Sequence, residues 1–106
     1  MTDCIFCKVI AGELPSTCAY QDDQVMVIKD IQPQAPIHWI IMPKIHISEL
    51  VEASDDLIHH MMTVAKKIIR EEKITGYRLV NNGKGAAVID HLHIHVMGKV
   101  DKFRAL

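Results

Sequence analysis

The sequence predicts an α+β fold in which one long helix packs against an antiparallel sheet. The first observation is a single long amphipathic pattern, at residues 54–73, in a chain of 106 residues. The second is a set of short apolar stretches that follow one another along the chain, and such neighbours usually pair antiparallel. The third is His91–Met97, where histidine alternates with apolar residues at the period of a strand. A chain of this length forms one domain, taken here as residues 1–106.

The elements of the first half are predicted from apolar stretches and from the residues that end them. Residues 4–11 are long enough for about two helical turns, and Gly12 stops them. Residues 31–36 contain two prolines and are predicted to be a loop. Three bounded apolar stretches are predicted strands: 18–21, 24–29 and 37–42.

The second half is predicted to contain the long helix and two further strands. Ser54 is a suitable N-cap, and Asp55 and Asp56 complement the positive end of the helix. His59 and His60 lie at the edge of the apolar stripe, so we expect both on the surface. After the helix, we expect a strand at 77–80, a loop at 81–85 and the histidine strand at the end of the domain.

The two faces of the histidine strand differ in chemical character. One face carries His91, His93 and His95, and the other carries Leu92, Ile94 and Val96. Neutral imidazoles brought together serve as metal ligands, nucleophiles or proton carriers. An exposed strand without a function would more often mix Lys, Thr, Glu and Ser. The alternation therefore predicts a core on one face and a functional site on the other.

Two cysteines at the start of the chain, Cys4 and Cys7, suit metal or redox chemistry better than a disulfide framework. A redox pair of the thioredoxin type would lie between a strand and a helix, whereas this pair begins the chain. A structural zinc ion takes four nitrogen or sulfur ligands, and His46 and His91 can supply the other two. The ligand count predicts a zinc site, and two reduced structural cysteines without a metal remain the alternative.

Charge and hydropathy exclude several classes of partner. The net charge of −1 gives no general attraction to nucleic acid or to a membrane surface. No apolar run approaches the roughly 20 residues of a membrane span, and the N-terminal residues lack the pattern of a signal peptide. We expect a cytoplasmic protein that binds neither nucleic acid nor membrane.

Four collinear segments carry a resemblance to a known family. They are Cys4–Ser16, Asp30–His38, Pro43–Ile47 and the alternating histidines. Together they resemble the histidine triad (HIT) superfamily, and within it the Hint-like branch of nucleotide-binding hydrolases. The resemblance implies a five-stranded antiparallel sheet with one short and one long helix, and a homodimer whose sheets join. It also implies a purine nucleoside phosphoramidase or nucleotidyl hydrolase that releases AMP.

The resemblance assigns a role to each candidate residue. His93 would attack phosphorus and form a nucleotidyl-histidine, with its own proton held by a backbone carbonyl. His95 would donate to the phosphate or the leaving amine, and Asp30 would accept hydrogen bonds from the ribose. His38, which alone would more often be a core residue, would join the active site. His91 would complete a structural zinc site, since four protein ligands leave no position for water.

The loop before the histidines departs from the family pattern. At Gly85–Asp90 it lacks the Gln and the Ser or Glu that hold the phosphate in relatives, and it is one or two residues shorter. We therefore expect phosphate positioning by the histidines, by Lys84 and by backbone amides near Gly83 to Ala87, which include those of Gly85, Ala86 and Ala87. Either Asn81 or Asn82 would reach the nucleotide.

Four other functions remain open at this point. The same intermediate could serve a dinucleoside polyphosphate hydrolase or a nucleotidyltransferase. The altered loop could leave a nucleotide-binding regulatory module with little activity. A purely structural zinc domain would bind no nucleotide at all. The dependence of AMP release on His93 separates an enzyme from a binding module. A structural zinc domain would unfold on chelation, and no nucleotide would raise its melting temperature.

Overall fold

A computed structural model describes residues 3–105 and confirms the predicted α+β fold. The strands are β1 (Cys18–Gln21), β2 (Val25–Lys29), β3 (Ile37–Pro43), β4 (Arg78–Val80) and β5 (Ile94–Gly98). The helices are α1 (Ile5–Ile10) and α2 (Asp55–Glu71), with a short 3₁₀ helix at Leu50–Glu52. The strands form one sheet in the order β1-β2-β3-β5-β4, and each neighbouring pair is antiparallel. Three residues of the predicted domain, 1, 2 and 106, lie outside the described residues.

Helix α2 begins where the sequence predicts and ends two residues early. The Ser54 hydroxyl accepts the Leu57 N–H at 3.1 Å, which makes Ser54 the predicted N-cap. At the other end, Lys73 takes a left-handed conformation with φ of 52°. The Ile74 N–H then donates to the Ile69 carbonyl at 2.9 Å, which closes the last turn.

The two faces of the sheet pack against different helices. The apolar stripe of α2 covers one face, where the buried sheet residues are Val25, Val27, Ile41, Ile94 and Val96. Helix α1 packs on the opposite face through Phe6 and Val9, against residues such as Ile40 and Met42. Because side chains alternate along a strand, neighbouring residues of β2 and β3 divide between the two cores.

The histidine segment is shorter as a strand than predicted. Only its second half, from Ile94 onward, pairs with β3, and His91–His93 lie outside the sheet ladder. Pro43 ends β3 and has no N–H to offer a ladder. Leu92 instead donates its N–H to the Ile47 carbonyl at 2.7 Å. Leu92 nevertheless packs in the core beneath α2, so it keeps the apolar side that the alternating pattern predicts for it.

The turn between β1 and β2 ties the sheet to α2. The Asp22 carboxylate accepts hydrogen bonds from the amides of Gln24 and Val25, from the Tyr20 hydroxyl and from His60 Nε2. The His60 contact is 2.7 Å long and half-buried, so His60 is less exposed than the sequence suggests, whereas His59 is exposed.

Among residues 3–105, no helix combines the length and the apolar character needed to span a bilayer.

Candidate active site and metal centre

The four predicted metal ligands come together at one end of the sheet. Cys4 is the N-cap of α1, where its Sγ accepts the Cys7 N–H at 3.4 Å. His46 follows β3, and His91 precedes β5. The donor atoms of all four side chains lie within 4.8 Å of one another. Three distant parts of the chain therefore meet in one group that could hold a metal ion.

The distances within this group fit a tetrahedral zinc ion. Cys7 Sγ lies 3.2 Å from His46 Nδ1 and 3.6 Å from His91 Nδ1, and Cys4 Sγ lies 3.4 Å from His91 Nδ1. Zinc bonds of about 2.3 Å to sulfur and about 2.05 Å to nitrogen would place such atoms about 3.6 Å apart. The Nε2–H of His91 donates to the Pro43 carbonyl at 2.8 Å. This bond leaves the Nδ1 lone pair of His91 facing the sulfurs, as metal-binding histidines require.

The orientation of His93 is set by its own backbone neighbourhood. Its Nδ1–H donates to the His91 carbonyl at 2.7 Å, in a buried hydrogen bond. The expected carbonyl partner is thus present, and the lone pair is left on Nε2. The edge of the Phe6 ring packs against His93 with centroids 4.9 Å apart, which restricts rotation of the imidazole. The geometry fixes the orientation of the His93 ring and leaves Nε2 available for chemistry.

A chain of hydrogen bonds determines which nitrogens of His38 and His95 carry protons. The Gln34 N–H donates to His38 Nδ1 at 2.9 Å, so this nitrogen must be an acceptor. The proton of neutral His38 is then on Nε2, 2.8 Å from His95 Nδ1. His95 Nδ1 is the acceptor of that bond, and His95 carries its proton on Nε2. Asp30 Oδ2 lies 3.4 Å from His38 Nε2.

Burial keeps these imidazoles neutral. It is the main cause that lowers the pKa of His95 to about 4, with further lowering by His93 and His38, while Asp30 acts to raise it. Burial also lowers the pKa of His38, against the opposing effect of Asp30. At neutral pH the Nε2 of His95 is therefore a hydrogen-bond donor without a full positive charge.

A cavity of about 560 Å³ opens beside His93 and His95, which both line it. Its walls combine apolar side chains with a few polar groups, a character typical of small-molecule sites. Apolar members include Phe6, Leu14, Ile28, Ile31 and Val88, and polar members include Asp30, His38 and Asn82. The volume lies within the range of about 300–1,000 Å³ of small-molecule pockets.

Comparison with known proteins identifies the family. The model of the HIT domain matches residues 11–102, which is most of the chain. This chain belongs to the HIT family. Protein HitA from Neisseria gonorrhoeae is 39% identical over 104 residues, covering 92% of this chain and 97% of HitA.

Solved structures of HIT proteins share the fold, and two of them also share the chain length. A HIT family hydrolase from Clostridium thermocellum is 39% identical, with a TM-score of 0.89, over 100% of this chain and 98% of its own. A histidine triad protein from Clostridium difficile is 35% identical, with a TM-score of 0.90 and the same coverage. A zinc-bound histidine triad family protein from Mycobacterium smegmatis is 26% identical, with a TM-score of 0.85, over 96% of this chain and 78% of that one.

The loop before the histidines is arranged differently from the expectation for a HIT site. Of the two candidate asparagines, Asn82 lines the cavity, whereas Asn81 donates its side-chain amide to the His93 carbonyl at 2.9 Å. The Ala86 and Ala87 amides both donate to the Gly83 carbonyl, at 2.9 and 3.0 Å. These two amides are therefore engaged within the loop.

Gly85 and the two alanines differ in their relation to the cavity. Gly85 has φ of 96° and forms the turn, while Ala86 lines the cavity. Gln34 has a part in the site that residue patterns did not suggest, because it acts through its backbone amide. A backbone group is present in every residue, so the sequence carries no signal for it.

Proposed function

We propose that this protein is a hydrolase that releases AMP from purine nucleoside phosphoramidates through a nucleotidyl-histidine on His93. The observation that carries the proposal is the bond between His93 Nδ1–H and the His91 carbonyl. It leaves the Nε2 lone pair of His93 as the nucleophile, and neutral imidazole nitrogen attacks phosphorus readily. The hydrolase names of related structures support the same reaction class.

The reaction takes two steps in which one proton is given and returned. In the first, a bond forms between His93 Nε2 and phosphorus, and the phosphorus–nitrogen bond breaks. The leaving nitrogen keeps the electron pair and takes a proton, for which His95 Nε2–H is the donor. The negative charge that this leaves on the His95 ring is balanced by the positive charge that the His93 ring, which keeps its Nδ1–H, acquires on bonding to phosphorus. In the second, water attacks phosphorus, AMP leaves His93, and the proton that water loses returns to His95.

The remaining site residues bind the nucleotide. Asp30 has a carboxylate at the cavity wall that can accept ribose hydroxyl hydrogen bonds. Asn82 is the better placed of the two candidate asparagines because it lines the cavity. Since the Ala86 and Ala87 amides are engaged with Gly83, the phosphate would depend on the histidines and on movement of the 83–87 loop.

We also propose that Cys4, Cys7, His46 and His91 bind a structural zinc ion. The sulfur–nitrogen distances support this ligand set, and so does the zinc-bound relative. Zinc would stabilise the junction of α1, β3 and the histidine segment. It would take no part in bond breaking, because all four tetrahedral positions are occupied by protein.

The experiment that tests the function is AMP release from an adenosine phosphoramidate by wild type and by His93→Ala, at equal zinc content. We expect His93→Ala to lose activity by about a thousand-fold or more, because no other group replaces the nucleophile. His59→Ala is the matched control, since His59 is an exposed histidine on α2, and it should retain full activity. Full activity in His93→Ala would refute the covalent mechanism.

One observation favours a second function. The engaged amides of Ala86 and Ala87 weaken phosphate positioning, which would suit a binding module with little turnover. Calorimetric titration with AMP separates the two functions. A wild type that binds AMP and hydrolyses no phosphoramidate would be such a module. Turnover of a dinucleoside polyphosphate instead would identify the phosphoanhydride hydrolase, and AMP transfer to an added acceptor would identify the transferase.

A homodimer is the assembly we propose. An apolar groove of about 390 Å³ runs between α2 and the edge strand β4, lined by Ala65, Ile69, Tyr77 and Leu79 among others. An edge strand offers unpaired backbone groups to a second copy. Sedimentation at micromolar concentration should show twice the mass of 12.0 kDa, and a single-chain mass would contradict the proposal. A cytoplasmic location stays a prediction.

A further inference from the structure

The C-terminal tail reaches back to the loop that holds His38. A turn at Asp101 directs it: the Asp101 carboxylate accepts the Phe103 N–H at 2.9 Å, and the Asp101 carbonyl accepts the Arg104 N–H at 3.0 Å. The guanidinium of Arg104 then donates to the Gln34 carbonyl. Arg104 and Gln34 are 70 residues apart in the chain, so this contact joins two otherwise separate surface segments.

The tail is held from its other side by a residue of β4. Arg78 donates to the carbonyls of Arg104 and Ala105, each at 3.4 Å. Arg78 thus holds the backbone of the tail by hydrogen bonds, and Arg104 in turn holds the loop at Gln34.

Gln34, the residue that the tail contacts, also belongs to the hydrogen-bond chain of the active site. Gln34 has its carbonyl on Arg104 and its amide on His38 Nδ1. Gln34 is exposed, and the 31–36 loop around it lies outside regular helix and strand. The contact with Arg104 therefore restrains the Gln34 backbone and keeps its amide within hydrogen-bond distance of His38 Nδ1. The charge of Arg104 also reaches the site: burial is the main cause that lowers the pKa of His38, Asp30 opposes it, and Arg104 adds to the lowering.

We propose that Arg104, held by Arg78, is a positioning residue that keeps the Gln34 amide on His38 and thereby fixes the proton of His95 on Nε2. Without the Gln34 donor, neutral His38 can place its proton on Nδ1. His38 Nε2 would then accept from His95 Nδ1–H, and His95 Nε2 would face the cavity as an acceptor. An acceptor there cannot protonate a leaving nitrogen, so the tail controls the direction of proton transfer.

The structural part of this proposal is tested without any substrate. In zinc-loaded, full-length ¹⁵N-labelled protein, long-range ¹H–¹⁵N spectra report which ring nitrogen of each histidine carries the proton. We expect wild type to show His38 and His95 protonated on Nε2. Arg104→Ala should shift His38 toward a mixture of both forms and speed hydrogen exchange of the Gln34 amide about tenfold, as expected for loss of one local restraint.

Three further variants make the result specific. Arg78→Ala should act in the same direction as Arg104→Ala, because it frees the tail. Arg104→Lys keeps a donor and a charge and should regain part of the protection of the Gln34 amide. Lys102→Ala removes an exposed tail cation next to Phe103 and should leave both spectra and exchange as in wild type. Unchanged His38 protonation and Gln34 exchange in Arg104→Ala would overturn the proposal.

The consequence for catalysis rests on the proposed function and is measured separately. For an alkylamine phosphoramidate, we expect kcat/KM of Arg104→Ala to fall about tenfold. For the p-nitrophenyl ester of AMP, whose phenolate leaves without a proton, we expect less than about a twofold change. Equal losses with both substrates would overturn the proton-directing role. If Arg104→Ala changes the protonation of His38 but wild type hydrolyses neither substrate, the positioning by Arg104 is retained and the proposed activity is rejected.

Discussion

The three alternating histidines differ in chemistry because each has a different partner for its second ring nitrogen. His91 Nε2 donates to the Pro43 carbonyl, which turns its Nδ1 to the cysteines. His93 Nδ1 donates to the His91 carbonyl, which leaves Nε2 free of that proton. His95 Nδ1 accepts from His38, which leaves its proton on Nε2. The same type of side chain thus presents ring nitrogens in three different settings, and these suit the proposed roles of metal ligand, nucleophile and proton donor.

Burial of His95 predicts a pH-dependent contribution to stability. Its pKa falls from 6.5 to about 4 on folding, mainly through burial, so the unfolded chain binds the extra proton between these values. The contribution of neutral His95 to the free energy of unfolding is therefore complete above about pH 6.5, and it declines as pH falls toward 4. Relative to His95→Gln, wild type should lose stability between pH 7 and pH 5 in urea denaturation.

The control for this experiment is His59→Gln, which replaces an exposed histidine of α2. Its stability should follow wild type at each pH. A constant difference between wild type and His95→Gln across the same range would show that His95 is not held neutral by the fold.

At the scale of elements, the contact of α2 with the sheet has a polar part as well as an apolar one. Asp22, in the turn between β1 and β2, accepts from His60 of α2 and from Tyr20 of β1. Burial acts to raise the pKa of Asp22, but its hydrogen bonds outweigh burial and lower the pKa well below its ordinary value. The stabilisation by this carboxylate is present above pH 3.8 and is lost as pH falls further.

Replacement of this carboxylate should loosen the turn and the helix together. We expect Asp22→Ala to lower the free energy of unfolding by about 2 kcal/mol, because four donors lose their acceptor in a partly exposed setting. Asp23→Ala removes the same charge from the adjacent, exposed residue and should change stability by less than about 0.5 kcal/mol. Equal effects of the two substitutions in chemical denaturation would point to charge alone.

For the whole molecule, the cysteine and histidine group joins parts of the chain that regular hydrogen bonding leaves separate. Cys4 and Cys7 belong to α1, His46 follows β3, and His91 precedes β5 beyond the end of the ladder. A small domain buries a modest fraction of its surface, so a metal link between such segments would contribute much of its stability. The same link would hold the backbone carbonyl of His91 that orients His93.

Removal of zinc should therefore destabilise the protein and impair the site together. We expect about one zinc per chain, and a Tm lower by about 10 °C or more after chelation, since about 2 kcal/mol moves Tm by roughly that amount. Cys7→Ser should behave as chelated wild type, whereas Cys18→Ser, at an exposed thiol of β1, should bind zinc normally. If wild type is purified without zinc and its Tm does not change with the chelator, the alternative of two structural cysteines without a metal is favoured.

The fold class, the two-sided histidine segment and the four residues that could hold a metal ion were all predicted from the chain alone. These features depend on periodicity and residue type, which act locally: a strand alternates its side chains, and Ser54 caps a helix wherever the helix packs. Strand boundaries were predicted less well, because the start of β5 depends on where Pro43 ends the neighbouring strand β3.

Which atom of each site residue is available for binding or chemistry depends on contacts that form only on folding. The partners of His91, His95 and Arg104 come from residues 48, 57 and 70 positions away. Asn81 and Asn82 are adjacent and identical in type, yet one holds a backbone carbonyl and the other lines the cavity. A ring nitrogen becomes donor or acceptor according to the group that folding brings against it, and no local pattern in the chain encodes that group.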